Sequence, residues 1–269
     1  MPELPEVETV RRVLKKNLIN QTIKNVESNY PKMILEPFEE FKNHLVGAKF
    51  NDVLRKGKFL IFELSNGYYL VSHLRMEGKY FLEPKDSMSN KHIHVIMELD
   101  DYTLYYQDTR KFGIMFTRTK DTLYTTEPLL SVANDPIEGV DITKMYDSLL
   151  RKKKTIKEAL LDQSIMSGLG NIYVDEVLYM AHVSPLRKAC EINLDELNLI
   201  VESSKNIFLK SIELGGTTIK SFTSSKGHAG SYQEHLLVHT KETCPKCGKR
   251  LTIIKIGGRS SYFCDNCQK

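Results

Sequence analysis

Apolar residues recur along the chain in two rhythms, and the change from one to the other divides it. Val7, Val10, Leu14 and Leu18 fall three or four positions apart, which predicts an amphipathic helix over residues 5–18 with Pro5 suited to its first turn and Glu6 near its positive end. From about 22 to 117 the pattern shortens to runs rich in β-branched and aromatic residues, at 58–64, 68–74, 92–99 and 102–107. Asn66 and Gly67 separate the first two runs as a hairpin turn, and Asp100 with Asp101 joins the last two. Regularly spaced strands of this kind predict a β-sandwich. Residues 126–139 contain Pro128 and Pro136 and no strong period, so the domain linker is expected there. Helical spacing then takes over, at 143–150, 156–161, 171–181 and 194–214. The last of these would bury Leu197, Ile200, Val201, Ile207, Phe208 and Ile212, and Gly215 and Gly216 stop it. Residues 217–232 are polar and aperiodic, which predicts a mobile loop.

A length of 269 residues accommodates two domains of ordinary size, each with its own core. With 41% hydrophobic and 27% charged residues the composition is that of a globular protein rather than a disordered or membrane one. No apolar run approaches the roughly 18 residues of a spanning helix. The opening Met1-Pro2-Glu3-Leu4-Pro5-Glu6 is no secretory signal, and a cytoplasmic location without membrane contact is the expectation. Net charge is only +4, but nine Lys or Arg stand against three acids between 220 and 269, so positive charge gathers at the C-terminal end. Such a patch suits a polyanion, although a solvated basic tail would have the same composition.

Four of the five cysteines fall as two Cys-x2-Cys knuckles, Cys244 with Cys247 and Cys264 with Cys267, sixteen residues apart. That spacing matches a zinc ribbon or finger, with a redox dithiol pair as the alternative. Four thiolates fill a tetrahedral Zn²⁺ and leave no open position, so the metal would be structural. Cys190, outside the knuckles, is expected to be a bystander. Gly257, Gly258 and Arg259 would form a compact tip between the knuckles, where a guanidinium can reach phosphate or base edges, although a surface arginine is usually just solvated. At the other end, Pro2 becomes a secondary amine once Met1 is removed. Such an amine can attack an aldehyde-like sugar carbon and form an iminium directly, with Glu3 and Glu6 near in sequence to move protons. An ordinary α-amine titrates at roughly 8, which leaves a useful fraction neutral. Without other evidence, Pro2 and Pro5 would be taken simply as a helix start.

Three separated motifs carry a resemblance: Met1-Pro2-Glu3-Leu4-Pro5-Glu6-Val7-Glu8-Thr9, then Gly168-Leu169-Gly170-Asn171-Ile172-Tyr173, then the four-cysteine segment. Together, in this order and running from the first residue to Gln268, they resemble bacterial formamidopyrimidine-DNA glycosylase. The resemblance implies an α+β multidomain fold: an N-terminal catalytic β-sandwich with flanking helices (1–130), a helical helix-two-turns-helix domain with a lesion-recognition loop (131–235), and a zinc-finger β-hairpin (236–269). It implies excision of oxidised purines, 8-oxoguanine and formamidopyrimidines, from damaged double-stranded DNA by a monomer that is nucleoid-associated when bound, with strand cleavage by β,δ-elimination. One structural Zn²⁺ and no organic cofactor would be needed.

Residue by residue, Pro2 resembles the family's nucleophile and Glu3 its acid-base partner. Lys58 resembles the catalytic lysine, expected on a sandwich strand, where Lys56 and Lys58 could equally be solvent-facing. Arg259 resembles the finger arginine that grips phosphates at the lesion. Asn171, expected at a helix start whose free amides favour anions, resembles a phosphate-binding residue, and His73, His92 and Arg110 resemble further backbone contacts. Met76, Arg110 and Phe112 match the three side chains that fill the void left by an extruded base, although Met76 and Phe112 would ordinarily be assigned to a core. Glu6, Glu77, Thr217 and Tyr232, with the loop between the last two, resemble the surroundings of the extruded lesion. Two alternatives remain at this point: the sister enzyme endonuclease VIII, which prefers oxidised pyrimidines, and a catalytically silent zinc-finger DNA-binding protein. Leu4, the Gly170-to-Tyr173 string and the Arg110-to-Phe112 element favour the purine branch over the first. Pro2, Glu3 and Lys58 argue against the second.

Overall fold

The computed structural model describes residues 1–84, 87, 90–217 and 230–269. The chain forms two compact units: Met1–Pro2, Glu6–Leu130, Thr217 and Gly230 in the first, and Glu3–Pro5, Ser131–Gly216 and Ser231–Lys269 in the second.

The first unit takes most of helix α1 (Leu4–Leu18) and eight strands in two antiparallel sheets. One sheet orders β1 (Asn25–Ser28), β6 (Ile93–Glu98), β7 (Thr103–Gln107) and β5 (Lys79–Glu83). The other orders β2 (Phe50–Lys56), β3 (Phe59–Leu64), β4 (Tyr68–His73) and β8 (Ile114–Thr119). Both sheets feed one hydrophobic core, where Phe62 meets Tyr80 with ring centroids 5.8 Å apart and α1 adds Val7, Val10, Leu14 and Leu18. The sandwich and the helix therefore follow the two apolar rhythms of the sequence. Three local assignments differ. A helix, α2 (Phe38–Leu45), interrupts the stretch expected to hold only strands. Pro37 sets its start, Glu39 and Glu40 lie at its positive end and Lys42 and His44 at its negative end, and only Phe41 and Leu45 are buried, too few to show a period. Lys58 is not on a strand but in the two-residue turn between β2 and β3, where Gly57 supplies the positive φ of +55°. His92 likewise lies in the turn before β6.

After the short helix α3 (Lys120–Leu123) closes the first unit, the second is helical: α4 (Ile142–Leu150), α5 (Ile156–Leu160), α6 (Asn171–Met180) and α7 (Leu194–Glu213). Thr155 opens α5 and Asn193 opens α7 with capping boxes, each side-chain oxygen accepting from the third helical N–H. α7 buries Leu197, Ile200, Ile207, Phe208 and Ile212 along one side, with Val201 half-buried, and leaves Leu199 and Leu209 exposed. The chain ends in a hairpin of β9 (Thr252–Ile256) and β10 (Arg259–Phe263), joined by Gly257 and Gly258 at φ +55° and +76°. Two successive positive φ values define the tight turn that matches strand twist, and glycine adopts them without strain. Arg259 is therefore the first residue of β10, paired with Ile256, rather than part of the tip. The lesion-loop expectation for 217–232 falls largely on residues 218–229, outside the described residues. No helix among the described residues is long and apolar enough to cross a membrane.

Candidate functional site

Pro2 is buried beneath the N-terminus, and Glu3 after it is 2% exposed, a cost that a carboxylate bears only if its oxygens are satisfied. They are met by the start of α6: Gly170 N–H donates to Oε2 at 2.6 Å, Ile172 N–H to Oε1 at 2.9 Å and Tyr173 N–H to Oε2 at 3.4 Å. These are amides that an α-helix leaves unpaired at its positive end, an environment that favours an anion. The glycine motif exists for this approach. A Cβ on Gly170 would overlap the Glu3 carboxyl carbon, and Gly168, at φ +102°, presses on Leu4 while its carbonyl accepts from Leu4 N–H at 3.1 Å. The amides of Gly170, Ile172 and Tyr173 at this helix start, expected to be unpaired, are thus taken by the protein's own carboxylate.

In the first unit, Lys58 is only 5% exposed, so the solvent-facing alternative fails. His73 is 8% exposed at the end of β4, opposite Phe59 in register and edge-on to its ring at 4.6 Å. Its Nδ1 accepts from Arg75 N–H at 3.0 Å, which leaves the proton on Nε2. Burial, then the positive charges of Arg75 and Lys58, lower its pKa to about 3, so the imidazole is neutral, with its one N–H on Nε2. Asp108 shapes the segment that follows β7. Its buried carboxylate accepts from the backbone N–H groups of Arg110 at 3.0 Å, Phe112 at 3.0 Å and Gly113 at 2.7 Å, while Lys111 takes φ +58°. This fixes a tight loop on which Arg110 is exposed with its guanidinium 4.8 Å from the Phe112 ring centre. Phe112 is 52% exposed, so it is no core residue, and Met76 and Glu77 are half-buried in the loop after β4. Glu6 Oε1 accepts from the backbone and hydroxyl of Thr217, at 2.8 and 3.0 Å, anchoring the near end of the segment that begins there.

Within the second unit, Asn171 Nδ2 donates to the Ser260 carbonyl at 3.0 Å, beside the exposed Arg259. Beneath them lies an ionic cluster that no local pattern foreshadows. Lys157 and Asp175 are both fully buried, with Nζ 2.7 Å from Oδ1, 2.7 Å from Ser261 Oγ and 3.2 Å from the Ser260 carbonyl. Burial pushes the Lys157 amine down and the Asp175 charge opposes that. Asp175 Oδ2 bonds His239 Nδ1 at 2.8 Å, while Glu176 accepts from the N–H groups of Leu237, Val238 and His239. Adjacent acids on α6 therefore hold the approach to the finger and, through Lys157, its second strand. Tyr232, 4% exposed, packs on Tyr173 in the helical core.

The four cysteine sulfurs lie within 4.8 Å of one another, with Cys244 to Cys267 at 3.9 Å and Cys247 to Cys264 at 3.6 Å. Four sulfurs about 2.3 Å from a tetrahedral Zn²⁺ would be about 3.8 Å apart, so the donor set and spacing fit. Tyr179 contributes a hydroxyl 3.3 Å from Cys244 Sγ, and Gln268 bonds Cys264 N–H and the Val183 carbonyl, closing the knuckle onto the helical unit. Cys190 is half-buried within a short 3-10 turn (Ala189–Glu191), away from this cluster in the chain.

Of the residues missed in the sequence, Asp108 was within reach, because an Asp two to five residues ahead of a glycine-ended loop is a known turn builder. Lys157, Asp175 and His239 were not, since their pairing spans distant segments. Comparison with known proteins bears on the arrangement. Residues 1–115 match the formamidopyrimidine-DNA glycosylase N-terminal domain, 132–223 its H2TH domain, and 241–269 a zinc finger found in FPG and IleRS. The chain is similar along its whole length to the formamidopyrimidine-DNA glycosylases of an Exiguobacterium species (45% identity, 100% of each chain) and Mycoplasma mobile (42%, covering 99% of that protein). Among solved structures it resembles the Lactococcus lactis Fpg in complex with an abasic site containing DNA, at TM-score 0.93, 40% identity and full coverage of both chains. It also resembles that protein with a FAPY-dG containing DNA, at TM-score 0.92 and 39% identity, covering 99% of this chain and all of the other.

Proposed function

The chain belongs to the formamidopyrimidine-DNA glycosylase family and is a base-excision repair glycosylase, and from that premise we propose that it excises oxidised purines from duplex DNA through Pro2 and then cleaves the strand. Removal of Met1 frees the Pro2 nitrogen. It attacks C1′ of the damaged nucleotide, the glycosidic electrons leave with the base, and the base takes up a proton. Opening of the sugar gives an iminium between Pro2 and C1′. Loss of a C2′ proton then expels the 3′ phosphate, a second elimination expels the 5′ phosphate, and hydrolysis returns the amine.

The observation that carries this reading is Glu3: a buried carboxylate, held by three amides, directly after the residue that becomes the terminus. A carboxylate so fixed can shuttle protons and stabilise the cationic iminium next to it in the chain. Lys58, a compact charge, suits the phosphate beside the lesion, as does the neutral His73 through its one N–H. His92, Arg110, Asn171 and Arg259 suit further phosphates. Met76, Arg110 and Phe112 replace the extruded nucleotide, an exposed Phe on an Asp-braced loop being a wedge rather than a packing group. Glu6, Glu77, Thr217 and Tyr232 belong to the surroundings of the lesion. Zn²⁺ on the four cysteines supplies fold and no chemistry, and no organic cofactor takes part. The partner is damaged double-stranded DNA, bound by a monomer in the cytoplasm.

Borohydride trapping tests the reading on duplexes carrying 8-oxoguanine opposite cytosine, an oxidised pyrimidine or an abasic site. The expected adduct forms with the purine lesion and maps to Pro2. An adduct with the pyrimidine lesion alone moves the protein to the endonuclease VIII branch, and none with any duplex removes the covalent mechanism.

A further inference from the structure

Tyr106 lies on β7 and is 1% exposed, its ring edge-on to Tyr80 at 5.1 Å. Its hydroxyl has no hydrogen-bond partner among the described residues, an unfavourable arrangement that in a native interior calls for a reason. Two glycines supply one. A Cβ on Gly113 would overlap this oxygen and fall 2.9 Å from Cζ of the same ring. Built on Gly78, it would overlap the oxygen as well and come within 2.6 Å of the Leu74 carbonyl. Two backbone segments far apart in sequence are therefore pressed against one phenolic oxygen.

Both glycines are the last residues of loops. Gly78 directly precedes β5 and ends the loop that holds Met76, in which Arg75 takes φ +53° and Gly78 N–H donates to the Leu74 carbonyl at 2.9 Å. Gly113 directly precedes β8 and ends the loop that holds Arg110 and Phe112. That second loop is braced by Asp108 from Arg110 through Gly113, and at Gly113 the braced loop meets Tyr106, so a shift at this contact carries the loop with it. β5 and β8 belong to different sheets, and the hydroxyl is where the two loop roots meet.

We propose that Tyr106 is a positioning residue whose hydroxyl serves as a common stop for both loops, setting the spacing at which Met76 and Phe112 enter the DNA stack. This rests on the wedge reading of those two side chains. An oxygen without its own hydrogen bond suits the task, because it constrains by contact and does not pull either loop toward itself.

Tyr106→Phe keeps the ring and its stacking and deletes only the oxygen. It is expected to melt at or above the wild-type temperature and to leave KM unchanged. Single-turnover excision of 8-oxoguanine should fall about tenfold, with a smaller loss at an abasic site, where no base has to be expelled. Gly113→Ala should lose roughly a hundredfold, and adding Tyr106→Phe to it should recover at least about tenfold, a coupling that independent sites would not show. Wild-type excision by Tyr106→Phe, with no recovery in the double variant, overturns the proposal; should Gly113→Ala fail to fold, the Tyr106→Phe rates alone decide it. Phe112→Ala separates the two readings. If it excises at the wild-type rate, the wedge reading falls and the stop with it. If it loses activity while Tyr106→Phe does not, only the stop is refuted.

Discussion

Three backbone amides converge on Glu3, and an amide side chain there would set its own NH2 against one of those donors. Glu3→Gln is expected to lower stability by about 2 kcal/mol in urea unfolding, the range for hydrogen bonds to a charged group. Glycosylase turnover should fall at least about a hundredfold, as for loss of a general acid-base group. His73 makes a second prediction. Its folded pKa of about 3 lies below its ordinary value of 6.5, so the folded state refuses a proton that the unfolded chain accepts. The contribution is full above 6.5 and is lost as pH falls toward 3, at about 1.4 kcal/mol per pH unit. Glu8 acts in the same direction lower down. Burial alone would raise it, but hydrogen bonds from Arg11 and Arg12 and the charges of Arg11 and Arg55 hold it at about 2, against 4.5 ordinarily. Stability measured from pH 7 to 4 should therefore slope downward with acid, and His73→Gln should flatten the upper part; an unchanged slope would refute the buried neutral imidazole. Pro2, Glu3 and the cysteines stood out in the sequence because their chemistry needs particular residue types. Lys157 did not, because nothing local separates a buried lysine from a solvated one.

Elements were legible where their apolar period was long. α7 and α1 were found to within a residue or so of their ends, while α2, with two buried anchors, was lost among strands. Turns were legible where glycine was required, as at Gly257 and Gly258, and not at Lys58, whose turn is marked only by Gly57 ahead of it. The finger turn is therefore the place to test an element. Gly258→Val forces a β-branched side chain into left-handed backbone at a cost of roughly 1–2 kcal/mol. Metal release to a chelator should quicken about tenfold, since 1.4 kcal/mol is a factor of ten. Gly258→Asn, which tolerates that backbone, should stay near wild type. Equal effects of the two would locate the cause elsewhere.

For the molecule as a whole, the concentration of positive charge toward the C-terminus and the zinc finger predict that DNA affinity is electrostatic and partly metal-dependent. Chelated protein, verified zinc-free, should bind at least about tenfold more weakly, and its slope of log affinity against log salt should shrink by about one for each phosphate that the finger no longer neutralises. Full affinity without zinc would remove the finger from binding. The two-unit organisation was visible in the change of rhythm near residue 130, whereas the inclusion of Glu3–Pro5 in the second unit was not, because it depends on a pairing with residues 167 to 170 positions away. That separation also has a meaning in time. At a synthesis rate of about 5–20 residues per second, roughly ten to thirty seconds pass on the ribosome between the emergence of Pro2 and the arrival of the amides that will hold its neighbour. Throughout that interval the Glu3 carboxylate lacks the three donors that satisfy it, so its place in the fold is set only once the start of α6 has emerged.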